Sequence, residues 1–134
     1  MTVYGFLNSM PELSGNVYPF YPESSNGAKF FAVWEETPET VEIPLYGGAA
    51  ETNKLVTVWV YQVITVTGTR RPSADPLRQI CVSLRTAAKL ITEDTGGQRV
   101  RSVDIEVYPN AEYDSISRFN VAVMRLRTHL SSEN

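Results

Sequence analysis

Leu55-Val56-Thr57-Val58-Trp59-Val60-Tyr61-Gln62-Val63-Ile64-Thr65-Val66-Thr67 decides the fold. Val56, Val58, Val60, Ile64 and Val66 share one side of a two-residue repeat and are all β-branched; only Gln62 breaks the row. Leu55, Thr57, Trp59, Tyr61, Val63, Thr65 and Thr67 make the other, mixed and aromatic side. Such alternation with β-branched enrichment predicts a strand. After a turn at Gly68–Ser73, Asp75 is expected to cap a helix with Pro76 at its first position, where a missing N–H costs nothing. Leu77, Ile80, Cys81, Leu84, Ala87, Ala88 and Ile91 recur at three- and four-residue steps as one apolar stripe, and Gly96–Gly97 offer a stop, so the helix is predicted over Asp75–Glu93. Its expected partner is the even-numbered row of the strand.

Working outward, Val3, Phe6, Leu7 and Met10 predict a short N-terminal helix opening near Thr2. Val17–Tyr21 reads as a first strand, placed at an edge by Pro19. Ala28–Glu35 reads as a second, with Phe30, Ala32 and Trp34 on one side and Phe31 and Val33 on the other. Thr37–Lys54, with Pro38, Pro44, Gly47-Gly48 and the extended run Val41-Glu42-Ile43, is long for a hairpin connection and is expected to form an extended arm. Past the helix, Val100–Tyr108 alternates cleanly, Pro109–Ser117 reads as a connection, and Arg118–Thr128 as the last strand. Ser131–Asn134 is a polar tail. The expectation is one α+β domain over residues 1–134, in the order α-β-β-β-α-β-β. Its antiparallel sheet has about five strands, with the main helix on one face.

Composition bounds the function. With 134 residues, 43% hydrophobic and 20% charged, the chain fits one soluble globular domain. It has no apolar run long enough for a membrane helix, and its first residues lack the pattern of a signal peptide. A single cysteine, Cys81, excludes an internal disulfide and favours assembly in a cytoplasm. Residues 1–69 carry a balance of −5 (Lys29 and Lys54 against seven glutamates), and residues 70–134 carry +2 (ten basic against eight acidic). An acidic chain without a basic face argues against nucleic-acid recognition. The asymmetry suits a head-to-tail contact between copies or simple solvated charge.

The chemical inventory is thin. His129 is the only histidine and reads as a surface residue; as a general base it would need a positioned nucleophile. Cys81 lies on the helix stripe and reads as a buried structural thiol. One histidine and one cysteine do not make a Cys/His zinc site, and neither glycine pair has phosphate-loop spacing. Glu35-Glu36 and Asp104/Glu106 could imitate catalytic carboxylates, but Asp104 and Glu106 occupy the polar face of a strand, where solvated charge is the default. Arg70-Arg71 fit an anion, a partner's carboxylate or a plain turn. No cofactor, metal or catalysis is expected. The sheet face away from the helix keeps Trp59, Tyr61 and Val63, with Trp34 as a further candidate, an apolar surplus that a second copy of the chain would cover.

The order of elements resembles the tail terminator (tail-completion) proteins of long-tailed bacteriophages. The matching pieces are Val17-Tyr18-Pro19, Phe30-Phe31-Ala32-Val33-Trp34, Val56-Thr57-Val58-Trp59-Val60-Tyr61, the Asp75–Glu93 helix, and the closing strands Val103–Val107 and Arg118–Arg127. The shorter N-terminal helix and the Glu- and Pro-rich arm depart from that pattern. The resemblance implies a virion protein of the tail or neck. It would form a homohexameric ring that stops polymerisation of the tail tube and meets a head–tail connector or stopper protein. Expected interface residues are Glu36, Glu39, Val41, Glu42, Ile43, Leu45, Trp59, Tyr61, Arg70, Arg71, Arg125 and Arg127. Two other readings stand beside it: another neck or head-completion protein, or a small-molecule or peptide-binding module whose cavity is lined by Trp34, Trp59 and Tyr61.

Overall fold

The computed structural model describes residues 1–24, 27–42, 50–107 and 111–130. Helix α1 (Val3–Asn8) is followed by β1 (Val17–Tyr18), β2 (Phe30–Glu42) and β3 (Ala50–Gln62). Then come α2 (Asp75–Ala87), a 3-10 turn (Ala88–Leu90), β4 (Val100–Val107), β5 (Glu112–Asp114) and β6 (Phe119–Leu130). The sheet has six strands in the order β1-β2-β3-β6-β4, with β5 also pairing β6. The class is α+β, as the sequence predicts. The pairing is antiparallel except at β1, which runs parallel to β2.

Val56, Val58 and Val60 are fully buried, and Ala122, Met124 and Leu126 lie beside them on β6. The α2 residues Leu77, Ile80, Cys81 and Leu84 and the α1 residues Val3, Phe6 and Leu7 complete one core on that face. Each buried aliphatic side chain contributes about 1.5–3 kcal/mol. The α1 start is as expected: Thr2 Oγ1 accepts from the Gly5 N–H at 3.1 Å.

Several boundaries differ from the sequence reading. The long strand spans Ala50–Gln62, not Leu55–Thr67, because β2 and β6 begin opposite its end, with Phe30 and Asn120 both facing Gln62. The Val63 N–H still reaches Lys29 O at 2.8 Å. Beyond it, no neighbouring strand among the described residues remains to satisfy the backbone. Ile64 and Val66 therefore leave the buried row, and Val66 is exposed.

The expected arm is, where described, a continuation of the hairpin: β2 and β3 stay paired from Phe30↔Gln62 out to Glu42↔Ala50. Pro38 is tolerated because β1 pairs only with Ala32 and Val33, leaving β2 an edge at that point. β6 accompanies β3 only as far as Asn53, so 40–42 and 50–52 continue as a two-stranded ribbon. Residues 43–49, with Ile43 and Leu45, and the tail at 131–134 lie outside the described residues.

The first strand is only Val17–Tyr18, and the connection before β6 contains β5. The main helix stops at Ala87, and its N-cap is Ala74; Asp75 instead pairs with Arg78 at 2.6 Å. The helix yields to a 3-10 turn because the following segment is recruited elsewhere. Thr92 N–H donates to Met1 O, and Val100 N–H donates to Thr92 O, both at 2.8 Å. Gly97, at φ 82°, serves the Asp94–Gln98 turn rather than the helix end.

Candidate interaction surface

The odd-numbered residues of β3 and their neighbours form the sheet face opposite the helices. At the end where β3 finishes, Phe31 stacks on Tyr61 with centroids 4.8 Å apart and planes 13° from parallel. Tyr18, Tyr21 and Phe119 meet Phe31 edge-on at 6.3, 5.8 and 6.1 Å, and Tyr21 also meets Tyr61 at 5.4 Å. The segment after β1 thus covers part of the apolar surplus expected to need a second copy, and Phe31 is only 1% exposed. Burial raises the pKa values of Tyr21 and Tyr61. The negative charge of Asp114 adds to this at both, and Tyr21 adds to it at Tyr61. Trp59, flanked by Val33 and Val123, is half-buried on this outer face.

Toward the arm the same face turns polar. Thr57 faces Arg125 and Leu55 faces Arg127, which is also opposite Asp104 on β4. His129 departs from the surface reading. Its Nδ1 lies 3.0 Å from Asn53 Oδ1 and its Nε2 lies 2.6 Å from Asp104 Oδ2, so the ring ties β3 and β4 across β6.

Trp34 is on the other side of the sheet. It pairs across from Val58 and packs against the core, so Trp34, Trp59 and Tyr61 do not line one cavity. Glu36, two residues on, also faces the helices. Its side chain is 7% exposed, and its Oε1 accepts from Lys54 Nζ and from Thr95 Oγ1, each at 2.8 Å. Lys54 Nζ also lies 2.7 Å from Asp94 Oδ2, a carboxylate 3% exposed. Burial pushes the Lys54 pKa down, but hydrogen bonds and charge from Asp94 and Glu36 outweigh it and leave the pKa raised. Burial likewise pushes Asp94 up, yet Lys54 and the backbone N–H of Gln98 hold it below its ordinary value. Trp34 Nε1 and Glu36 Oε2 are buried with no hydrogen-bond partner among the described residues.

Of the expected interface residues, Glu39, Val41 and Glu42 are β2 positions on or near the ribbon, whereas Glu36 belongs to this internal ion cluster. Arg70 and Arg71 are exposed in the loop before α2, and Arg71 lies over the Tyr113 ring, 4.0 Å from its centroid. Arg125 is exposed and Arg127 half-buried on the outer face. Sequence reasoning missed the aromatic group of Tyr18, Tyr21, Phe31 and Phe119, because tertiary pairing assembles it: β1 beside β2 brings Tyr18 and Tyr21 to Phe31, and β6 beside β3 brings Phe119.

The single thiol lies in the helix-side core, away from this surface. Cys81 is 2% exposed, and burial pushes its pKa to about 11, so it presents no thiolate near neutral pH. Among the described residues, no group of three or more His, Cys, Asp or Glu is placed to hold a metal ion.

No protein-family model matches the chain, and comparison with curated proteins yields no match. Among solved structures, the chain is similar to one in the "Virion of native gene transfer agent (GTA) particle". The TM-score is 0.63 and the identity 12%, over 96% of this chain and 90% of that one. At that identity the likeness shows a shared fold.

Proposed function

We propose that the protein is a structural virion subunit of the tail or neck: a tail terminator whose copies form a ring at the end of a tail tube. The ring stops tube growth and presents a surface to a head–tail connector. The observation that carries this reading is the near end-to-end fold likeness to a chain of a virion particle, covering 96% of this chain. It agrees with the element order that resembles tail terminators. The outer sheet face and the β2–β3 ribbon supply the contact surface in this reading. Six identical subunits joined head to tail are the arrangement proposed, with the ribbon reaching a neighbour's basic surface at Arg70, Arg71, Arg125 and Arg127.

The test is electron microscopy of tail tubes assembled with and without the labelled protein. Capping predicts label confined to tube ends, with six-fold rings in end views and shorter tubes as protein is added. Label along the tube walls, or none on tubes, would refute the terminator role. Deleting Glu39–Glu51 is expected to abolish ring closure while the far-UV circular dichroism stays that of the folded domain.

A further inference from the structure

One apolar side chain is presented to solvent by a turn built to hold it there. Ile116, at the β5–β6 turn, is 93% exposed. Asp114 fixes the turn: Oδ1 accepts from the Ile116 N–H at 3.2 Å, and Oδ2 accepts from the Ser117 N–H at 3.2 Å and its hydroxyl at 2.7 Å. The Asp114 carbonyl accepts from the Arg118 N–H at 2.8 Å, and Arg118 closes the turn at φ 62°. These bonds hold the Asp114 carboxyl below its ordinary pKa, the Ser117 hydroxyl contributing most. A projection already ordered in the free protein loses little entropy on docking.

An open cleft of about 310 Å³ lies elsewhere on the same molecule, lined by Phe30, Pro76 and Ile80 with Glu12, Gln79 and Ser83. Phe30 opens β2, and Glu12 lies between α1 and β1, so the cleft belongs to the β1–β2 side of the sheet. The Ile116 turn belongs to the opposite, β6–β5 side. Both are at the same end of the strands, where Phe30, Gln62 and Asn120 lie in register. Exposed Arg118 accompanies the projection, and exposed Glu12 accompanies the cleft.

We infer that the Ile116 turn of one copy docks in the Phe30–Pro76–Ile80 cleft of the next, with Arg118 against Glu12. A knob and a hole on opposite sides of the sheet, at the same end of its strands, make a heterologous contact. Such a contact repeats from copy to copy and closes when the rotation closes. It deepens the ring reading and rests on it.

The experiment is a charge swap read by sedimentation velocity of the purified full chain, over a concentration series to about 1 mM. Glu12→Arg and Arg118→Glu, each alone, are expected to weaken self-association at least about tenfold by placing like charges together. The double variant should recover to near wild type, and Ile116→Asp should abolish association. All three positions are exposed, and circular dichroism confirms the fold of each variant. A wild-type chain that associates while the variants behave like it overturns this contact and leaves the ring reading standing. A wild-type chain monomeric throughout the series overturns the contact as well, and label absent from tube ends is what separately removes the ring.

Discussion

Replacing Lys54 by Met tests the ion cluster at the root of the β2–β3 hairpin. The substitution keeps most of the length of the side chain and removes the cation between Glu36 and Asp94, which are 7% and 3% exposed. Removing one partner of a buried pair costs about 3–5 kcal/mol. The lower end applies because Lys54 retains 18% exposure and a stranded carboxylate can take up a proton. A loss of about 3 kcal/mol is a large part of a stability of about 5–15 kcal/mol. The pH dependence has a definite sign. In the wild type, the depressed Asp94 pKa gives stability that is present above about pH 4 and lost as pH falls through its folded value. The raised Lys54 pKa gives stability present below about pH 10.4 and lost as pH rises through its folded value. In Lys54→Met, the buried Asp94 loses the cation that holds its pKa down, so proton uptake relieves the cost at lower pH and the deficit should be largest near pH 7 and shrink toward pH 5. Urea unfolding followed by circular dichroism at both pH values measures it. A loss below about 1 kcal/mol at pH 7, as for a surface pair, or an equal loss at pH 5, would refute the reasoning.

Leu84→Asp places a charge at a fully buried α2 position under β3 and β6, and should lower stability by several kcal/mol; an unchanged melting temperature would show the packing to be wrong. Cys81 should resist a thiol reagent at pH 8 in the native protein and react only after unfolding, so a native thiol titrating at once would contradict its burial.

The helix-side core is legible in the sequence because its signals are local. A β-branched row at two-residue spacing and a stripe at three- and four-residue spacing identify the two faces that meet, and Val56, Val58, Val60, Leu77, Ile80 and Leu84 are where that pattern puts them. Strand ends are not legible, since they depend on where neighbours begin. Continuity of the pattern cannot extend a strand past its last partner, which is why 63–67 leaves the sheet despite its β-branched residues. The strand pairing within 37–54 is hidden for the complementary reason: Pro38 and the glutamates argue against a strand interior, but β2 is an edge there. Glu36 is expected from the sequence at an interface, and only the fold brings Asp94 and Lys54 to it. The knob at Ile116 leaves one signal in the sequence, an isolated Ile in a Ser-rich turn, and nothing local to give it meaning.

The even-numbered face of β3 reads Lys54, Val56, Val58, Val60, Gln62: three buried valines between two polar residues. Gln62 is the break in the apolar row, and it acts as a clamp. Its Nε2 donates to Ser73 O at 3.2 Å, and Asn120 Nδ2 donates to Gln62 Oε1 at 3.1 Å and to Pro72 O at 3.2 Å. At the other end, Lys54 holds Asp94, and Thr95 reaches Glu36. The two clamps hold the segments just before and after the helical region, so they fix where α2 begins and where the chain leaves it, over the valines. A one-residue slip of β3 would carry Leu55, Thr57 and Trp59 inward and break both clamps at once, so register and helix placement are specified together. The specification stops at Lys54. Beyond it β3 loses β6, whose pairing ends at Asn53, and β2 and β3 continue as a two-stranded ribbon. A hairpin extended past the rest of the sheet is the feature on which the proposed contact with a neighbouring copy rests.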